Sequence, residues 1–242
     1  MIFRIKELVR YTVAARDAAL GYVEDFYFDE FNWSLRYMVL AGEDELDGRK
    51  LLLSTVALDR PDFTTSQMRV NLLKETIKNS PEVTLERPLT REEEIALHSY
   101  YQWPFYWEAA GISAYPFVEM FSDMRKQEAE NDDVRHLRSA KKVLGLSIQA
   151  RDGDIGSVDD FLVEDEKWNM HYLVIDTGSW LPGRKVIISP QWIEEIRWDE
   201  AGVGVDLNRE TIKKSPEYDP SVPLDTEYEK RLHEYYGRKR AR

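Results

Sequence analysis

Two histidines occupy matched places in this sequence, and histidine is the side chain best suited to metal ligation or proton transfer near neutral pH. His98 and His233 are each preceded by leucine and followed, after one residue, by a Tyr-Tyr pair. Neither has a second histidine or a cysteine at ligand spacing. We therefore favour a histidine held by a hydrogen bond at a helix contact over a metal ligand or a general acid–base. His136 and His171 receive no role.

Four aspartates form a second group of candidates, since carboxylates near strand ends can bind calcium or share a proton. They are Asp17, Asp25, Asp152 and Asp160. No EF-hand loop surrounds them. The favoured interpretation is therefore hydrogen bonding to turn amides, or pairing with Arg16 and Arg151, rather than metal binding.

Basic pairs recur at Arg49-Lys50 and Arg184-Lys185, where they could hold an anion or simply flank a turn. The sequence contains no glycine-rich phosphate loop, no HExxH and no GxSxG motif. Cysteine is absent, which excludes thiolate nucleophiles and Cys-ligated metals. We predict no catalytic residue, no metal and no cofactor, and expect that the protein is not an enzyme.

An aromatic segment, Gln102-Trp103-Pro104-Phe105-Tyr106-Trp107, follows the first of the matched Tyr-Tyr pairs, whereas Gly237-Arg238-Lys239 follows the second. We name residues 102–107 the aromatic strap. Pro104 prevents a regular helix here, and the aromatic rings carry a large apolar surface. An intramolecular strap is the favoured interpretation, and a partner-binding site is the alternative. The apolar stretch 112–121 extends the same surface.

The 242 residues carry a net charge of −12, and 43% of them are hydrophobic. That composition supports a buried core, while the acidic surface disfavours nucleic acids and anionic membranes, whose binding depends on neutralising negative charge. The basic run 238–242 is interpreted as a solvated tail. No apolar stretch reaches the roughly 18 residues of a membrane-spanning helix, and the first residues lack a secretory pattern. We expect a soluble, cytoplasmic protein without a membrane span.

The chain contains an internal repeat. Residues 15–101 align with residues 150–236 at a constant offset of 135, and about 31 of the 87 aligned pairs are identical without a gap. Trp33 matches Trp168, for example, and ETIKNSPE at 75–82 matches ETIKKSPE at 210–217. A period of this length is too long for a solenoid unit, so each copy is predicted to be domain-sized.

The residue pattern of each copy predicts strands followed by helices. Aromatic and β-branched residues at 21–28 and 156–163 are typical of strands. Five or six short strands in so few residues favour a small closed barrel. The predicted fold class is mainly β with α: two small β-barrels, each followed by a short C-terminal helix. The predicted domains are residues 1–107 and 141–242, joined by a linker at 108–140.

The helices and the linker have local signals. Thr90 and Glu93 predict a capping box at the start of one C-terminal helix, and Asp225 predicts the N-cap of its counterpart. The segment 122–140 is highly charged and almost without apolar residues, so it is predicted to be exposed.

The second copy resembles the PRC-barrel family. The resemblance lies in GSVDDF at 156–161, Trp168, YLVIDTG at 172–178 and WLPGRK at 180–185. The first copy keeps the same frame but has AGEDELDGRK at 41–50 in place of the Trp-Leu turn. The family includes the cytoplasmic part of the photosynthetic reaction centre H subunit and the C-terminal barrel of the ribosome maturation factor RimM. The resemblance implies an interaction module and carries over no catalytic residue.

The sequence therefore predicts a non-catalytic tandem PRC-barrel protein that binds another protein, with a homo-oligomer left open. RNA or ribosome-assembly binding and a photosynthetic or electron-transfer accessory role are the alternatives. The two halves are expected to pack with approximate two-fold symmetry. The candidate partner-binding residues are Trp103, Phe105, Tyr106, Trp107, Trp180 and Leu181.

Overall fold

Two β-sheets and a few short helices make up the chain in this computed structural model, which describes residues 1–85, 87, 89–107, 137–178, 182–222 and 224–237. We refer to residues 1–107 as the first half and to residues 137–237 as the second half. The β-rich fold with short helices agrees with the predicted fold class at this level.

The two halves present their elements in the same order, except that the second half has one more strand, β12. The first half contains β1 (Ile2–Arg4), α1 (Ile5–Leu8), β2 (Thr12–Ala14), β3 (Ala19–Asp29), β4 (Ser34–Gly42), β5 (Lys50–Ser54), β6 (Gln67–Arg69), α2 (Lys74–Lys78) and α3 (Arg91–Tyr101). The second half contains β7 (Leu137–Ser139), α4 (Ala140–Val143), β8 (Ser147–Ala150), β9 (Gly153–Glu164), β10 (Met170–Asp176), β11 (Lys185–Ile188), β12 (Ile193–Arg197), β13 (Gly202–Val205), α5 (Arg209–Lys214) and α6 (Thr226–Tyr235). A 3-10 turn follows β5 at Thr55–Ala57 and β11 at Pro190–Trp192.

Each half builds one sheet around a long central strand. The first sheet runs β5-β4-β3-β2-β6, and the second runs β11-β10-β9-β8-β13-β12. Neighbours are antiparallel except for the parallel pairs β2–β6 and β8–β13. Over the described residues, each hydrogen-bonded path has two ends rather than forming a ring. The closed barrels expected from the sequence therefore stay a prediction.

The halves exchange their first strands. β1 pairs with β9 of the second half, in the register Ile2 to Glu164, and β7 pairs with β3 of the first half, in the register Leu137 to Asp29. Positions 2 and 137, and 164 and 29, differ by the same offset of 135. Each sheet is therefore completed by a strand from the other half.

The exchange corrects one expectation about the linker. Residues 122–140 were predicted to be exposed, but Leu137 is 2% exposed and Ala140 is fully buried. The apolar side chains of this short segment are buried against β3, and its backbone hydrogen-bonds to that strand. Because charged residues precede this strand, the sequence pattern did not predict it. Residues 108–136 lie outside the described residues.

The turns between the long strands of each half meet in a reciprocal contact. The amide of Leu35 donates to the carbonyl of Trp168, and the amide of Met170 donates to the carbonyl of Trp33, both at 2.8 Å. Ser34 lies opposite its own counterpart, Asn169, and donates its hydroxyl hydrogen to the side-chain oxygen at 2.6 Å. Pairs in which i contacts j and j contacts i are the pattern of a two-fold interface.

Aromatic rings fill the space under this contact. Trp168 stacks on Phe26 with ring centroids 6.1 Å apart, and Trp33 stacks on Phe28 at 5.2 Å. Both tryptophans have left-handed backbone conformations, with φ of 56° and 58°. Such a conformation is unfavourable for a large side chain. In this conformation each tryptophan carbonyl faces the backbone amide of the other half from which it accepts a hydrogen bond.

The C-terminal helices begin as their caps predict. Thr90 and Glu93 form a capping box at the start of α3, and the Asp225 side chain accepts a hydrogen bond from the Tyr228 amide at the start of α6. α3 ends at Tyr101, where Gln102 takes a left-handed conformation and releases the chain into the strap. None of the described helices has the length and apolar character needed to cross a membrane.

Candidate binding site

A buried tyrosine, glutamate and histidine form one cluster in the first half. Tyr37 lies on β4, and Glu94 and His98 lie one turn apart on α3. The Tyr37 hydroxyl is 3.0 Å from Glu94 Oε1 and 2.8 Å from His98 Nε2. We name Tyr37, Glu94 and His98 the first cluster. It joins the C-terminal helix to the sheet, which is the kind of contact predicted for His98.

The partners of His98 define its proton positions. Nδ1 lies 2.8 Å from the carbonyl oxygen of Pro104, which can only accept, so Nδ1 carries hydrogen. Burial lowers the pKa of His98, and the nearby positive charges of Arg91 and Arg36 act in the same direction. The ring is therefore neutral near pH 7, and its Nε2 is an acceptor that shares the single hydroxyl hydrogen of Tyr37 with Glu94 Oε1. Burial, followed by the Glu94 charge, raises the pKa of Tyr37 well above its ordinary value.

The second half contains the same cluster at the same offset. Tyr172 on β10 lies 3.1 Å from Glu229 Oε1 and 3.0 Å from His233 Nε2, and both partners lie on α6. We name these three residues the second cluster. His98 is 1% exposed, whereas His233 is only partly buried. The two clusters therefore contain the same residue types, but their histidines differ in exposed fraction.

The aromatic strap covers the first cluster. Phe105 stacks on the His98 ring at 5.6 Å, and Trp107 lies 5.2 Å from it. Tyr106 donates its hydroxyl hydrogen to Glu94 Oε1 at 2.6 Å. These contacts correspond to the intramolecular alternative of the sequence analysis. Binding of a partner by the same residues stays a prediction.

Trp103 occupies a place that a different residue fills in the second half. Its ring stacks on Tyr101 at 4.1 Å and lies edge-on to His98 at 5.9 Å. In the second half, Trp192 makes the matched contacts, 4.3 Å from Tyr236 and 6.0 Å from His233. The counterpart of Trp192 in the first half is Ala57, whose small side chain leaves room for Trp103. The inner part of the strap therefore completes the core.

Two arginines hold the outer part of the strap. Arg36 lies over the Tyr106 ring at 4.1 Å, and Arg91 lies over the Trp107 ring at 4.2 Å. Such cation–π contacts stabilise aromatic rings near a surface. The corresponding residues of the second half are His171 and Thr226, so the second cluster has neither arginine beside it.

A cleft of about 740 Å³ borders the second cluster. Its described lining comes from both halves: the turn 30–34 of the first half, and 169–172, 189–191, Ile193 and His233 of the second. We name it the inter-half cleft. Its wall at Tyr172 and His233 is the counterpart of the surface that the strap covers in the first half. No lysine or arginine is among these lining residues.

The four aspartates have capping roles. Asp25 accepts from the Lys141 amide at 2.9 Å, and Asp160 accepts from the Lys6 amide at 3.2 Å, so each caps the exchanged helix of the other half. Asp17 and Asp152 accept from the first amides of α2 and α5 at 2.8 Å and 2.7 Å. As predicted, the acceptors serve backbone amides. Among the described residues, no group of three or more metal-ligating side chains could hold an ion.

Burial raises the pKa of Asp25 and raises that of Asp160 to about 6. The hydrogen bonds that each carboxylate accepts oppose the shift but do not cancel it. Ionisation of both carboxylates is therefore less favourable in the folded protein than in the unfolded chain. Because each carboxylate accepts from an amide of the other half, the stability of the contact between the halves should depend on pH.

The arginine of each basic pair binds the end of a short helix, while Lys50 pairs with Glu24 and Lys185 with Asp159. Arg49 donates to the carbonyl of Lys78 at 2.8 Å, and Arg184 donates to the carbonyl of Ser215. Cations at the C-terminal end of a helix are stabilised by the exposed carbonyls. This geometry favours the turn-flanking interpretation over an anion site. Of the other sequence candidates, His136, Trp180, Leu181, the stretch 112–121 and the tail 238–242 lie outside the described residues.

Two features of this site were not predicted from the sequence. Glu94 and Glu229 were not identified, although a glutamate stands one turn before the histidine in both helices. Trp103 was not related to Trp192, because the two residues are not aligned in the repeat. The two glutamates occupy aligned positions of the repeat, so they could have been found from the sequence. The equivalence of Trp103 and Trp192 depends on their positions in space.

Comparison with known proteins adds little about function. No family model matches the chain. Over 99 residues it is 31% identical to an uncharacterised protein of Deinococcus radiodurans, a match that covers 39% of this chain and 35% of the relative. The chain thus spans about a third of the length of that relative. Function has to be inferred from the geometry of the site.

Proposed function

We propose that this chain is a non-catalytic binding module, built from two PRC-type barrels that arose by duplication, and that it binds another protein in the inter-half cleft. The sequence repeat and the motifs of the second copy support the first part. The reciprocal hydrogen bonds and the exchanged strands, all related by the offset of 135, are what a duplicated two-fold dimer would leave.

The pairing of the long strands supports the barrel interpretation. β3 pairs with β2 near its start and with β7 near its end, while β4 runs along its other edge. β9 behaves in the same way with β8, β1 and β10. A strand whose two ends have different neighbours on one edge, with register shifts between them, is bent as barrel strands are.

The observation that carries the binding proposal is the inter-half cleft, because both halves contribute to its described lining. The cleft volume lies within the range of about 300–1,000 Å³ that ligand sites occupy. A site shared between halves also gives a physical reason for a tandem protein, since neither half alone supplies the lining.

The clusters themselves favour a structural role over catalysis. Both ring nitrogens of His98 face fixed partners, and its lowered pKa keeps the ring neutral. The raised pKa of Tyr37 keeps the phenol protonated at neutral pH. A general base or nucleophile needs a proton that it can exchange with a substrate. Nucleic acid is disfavoured because the described cleft lining lacks cations and the chain carries a net charge of −12.

The test is a matched pair of surface variants. Gln191 is exposed on the cleft wall, and its counterpart Val56 is 58% exposed in the first half. The tagged full chain is purified from its native cell as wild type, Gln191→Arg and Val56→Arg, and co-purifying proteins are quantified by mass spectrometry. We expect a protein that is retained by wild type and Val56→Arg and lost by Gln191→Arg.

Other results would argue against the proposal. A partner lost equally from both variants would indicate a binding surface outside the cleft. A partner lost from a Phe105→Ala and Trp107→Ala chain, but retained by Gln191→Arg, would move the site to the strap. RNA whose retention falls steeply with salt would favour the ribosome-assembly alternative.

A further inference from the structure

We infer that this chain forms a dimer by exchanging residues 2–8 with a second copy, so that β1 of each copy pairs with β9 of the other. We name residues 2–8, which comprise β1 and α1, the first arm, and residues 137–143, which comprise β7 and α4, the second arm. The exchange uses the edge of β9 rather than the inter-half cleft, and it is independent of the proposed function.

The first arm docks on the second half of the chain. It buries three apolar side chains, those of Phe3, Ile5 and Leu8. The amide of Lys6 donates to Asp160 Oδ1 at 3.2 Å, and its ammonium group donates to Asp159 Oδ1 at 2.9 Å. Both aspartates lie on β9, with which β1 forms an antiparallel ladder. The second half of another copy offers the same contacts to the arm.

A four-residue turn, Leu8-Val9-Arg10-Tyr11, connects the first arm to β2. The Tyr11 amide donates to the Leu8 carbonyl at 3.0 Å. Val9 has φ of −62° and ψ of 130°, and Arg10 has φ of 76°. These angles are typical of a type II turn, whose third residue needs a positive φ and is usually glycine. The arginine is therefore held in a left-handed conformation that is unfavourable for a residue with a side chain.

The matched turn after the second arm has glycine at the third position. The Leu146 amide donates to the Val143 carbonyl at 3.1 Å, and Leu144 has φ of −61° and ψ of 129°. Gly145 has φ of 87°, which glycine adopts without steric cost. The two turns therefore have the same form, but the turn of the first arm is strained and the turn of the second arm is not.

Opening of the strained turn favours exchange with a second copy. When residues 8–11 extend, the first arm leaves its own chain and docks on the second half of another copy, where it makes the same contacts. Strain at Arg10 is then released in both copies, and short connecting loops under strain favour exchange of this kind. Arg10 also lies over the Tyr22 ring at 4.3 Å, which favours the closed turn. A cation–π contact at an exposed position is weaker than the cost of the left-handed conformation.

The test uses a disulfide to report which copies β1 and β9 belong to, because the chain contains no cysteine of its own. Ile2 and Glu164 are directly opposed in the ladder, and opposed Cα atoms about 4.5–5.5 Å apart suit a disulfide. The chain with Ile2→Cys and Glu164→Cys is refolded from denaturant at low and at high concentration, oxidised and separated by non-reducing electrophoresis. We expect a covalent dimer whose fraction rises with concentration and exceeds the background given by Ile2→Cys alone.

Arg10→Gly is the matched variant, because it introduces the residue that the second half has in its turn. Added to the cysteine pair, it should lower the ratio of covalent dimer to internally bridged monomer by about tenfold, since an opened turn then releases no strain. A disulfide within one chain at every concentration would overturn the inference. The same dimer fraction with arginine and with glycine in the turn would also overturn it, as would the absence of both disulfides, which would show that β1 does not pair with β9.

Discussion

The two clusters of this protein are built from the same residue types at the same spacing, yet their surroundings differ. The first lies under its own strap, held by two arginines, and its histidine is almost fully buried. The second borders a cleft between the halves and has histidine and threonine in place of those arginines. A tyrosine–glutamate–histidine cluster therefore fastens a helix to a sheet in both halves. The described residues around this cluster differ between the halves.

The largest expected effect tests whether Trp103 and Trp192 fill equivalent places in the two halves. Trp192→Ala should lower the free energy of unfolding by about 4 kcal/mol, because a fully packed aromatic ring is removed from the core. Trp103→Ala should cost roughly 2 kcal/mol, since that ring is only partly buried. Chemical denaturation with two spectroscopic probes measures both values.

The pair of tryptophans has a rescue experiment. Adding Ala57→Trp to the Trp103→Ala chain places a ring where the second half has Trp192, and should restore at least half of the lost stability. Ala57→Trp in the wild-type background should destabilise, because Trp103 already fills the space. The equivalence of the two rings would be refuted if the double variant were less stable than Trp103→Ala alone.

The next effect concerns the contact between halves and its pH dependence. The folded-state pKa of Asp160 is about 6, above an unfolded value of about 3.9, so ionisation is costlier in the folded state. The wild type should therefore lose up to about 3 kcal/mol of stability as the pH rises from about 3 to about 7, relative to Asp160→Asn. Unfolding curves at several pH values measure this difference. A pH dependence that is identical in both proteins would show that the carboxylate is not desolvated.

Asp25→Asn is the matched variant in the first half. The pKa of Asp25 is raised in the same direction, so the sign of its pH effect should be the same. Its carboxylate also accepts from the Ser139 hydroxyl at 2.6 Å, a hydrogen bond that opposes the shift. The smaller pH effect is therefore expected for Asp25.

A smaller effect distinguishes the covers of the two clusters. Tyr37→Phe removes a buried hydroxyl from Glu94 and His98 and should cost about 2 kcal/mol. Tyr172→Phe should cost about 1 kcal/mol, because the hydrogen bond of its hydroxyl to the partly buried His233 is less shielded than the bond of Tyr37 to His98. Equal costs in thermal and chemical unfolding would contradict the difference in cover.

The smallest effect comes from making one half resemble the other. Arg36→His introduces the residue of the second half and removes the cation from the Tyr106 ring. The expected loss is about 1 kcal/mol, in line with cation–π contacts near a surface. His171→Arg should change stability by less than that, since no cation–π contact is removed by this change. Differential scanning fluorimetry of both variants at one pH compares them.

The sequence allowed the strands, the helix caps and the capping aspartates to be predicted, because each depends on residues close together in the chain. Thr90 and Glu93 are three residues apart, and their capping box formed as expected. The exchanged strands are three residues long and have no strong alternating pattern, so their pairing depends on contacts far along the chain.

The cleft could not be predicted for a related reason. Its lining joins residues 30–34 to residues more than 130 positions away, and their proximity follows from the reciprocal contact at Ser34 and Asn169. The strap was predicted from its composition alone, but its role became interpretable once Ala57 and Trp192 were compared in space. Interactions between residues close in the chain can be predicted from the sequence, whereas the shape of the inter-half cleft depends on how the two halves pack.

The central claim is our proposal that the inter-half cleft binds another protein. The most direct test compares the proteins that co-purify with wild type, Gln191→Arg and Val56→Arg. We predict a protein that wild type and Val56→Arg retain and that Gln191→Arg loses. Equal retention by all three chains would contradict the account.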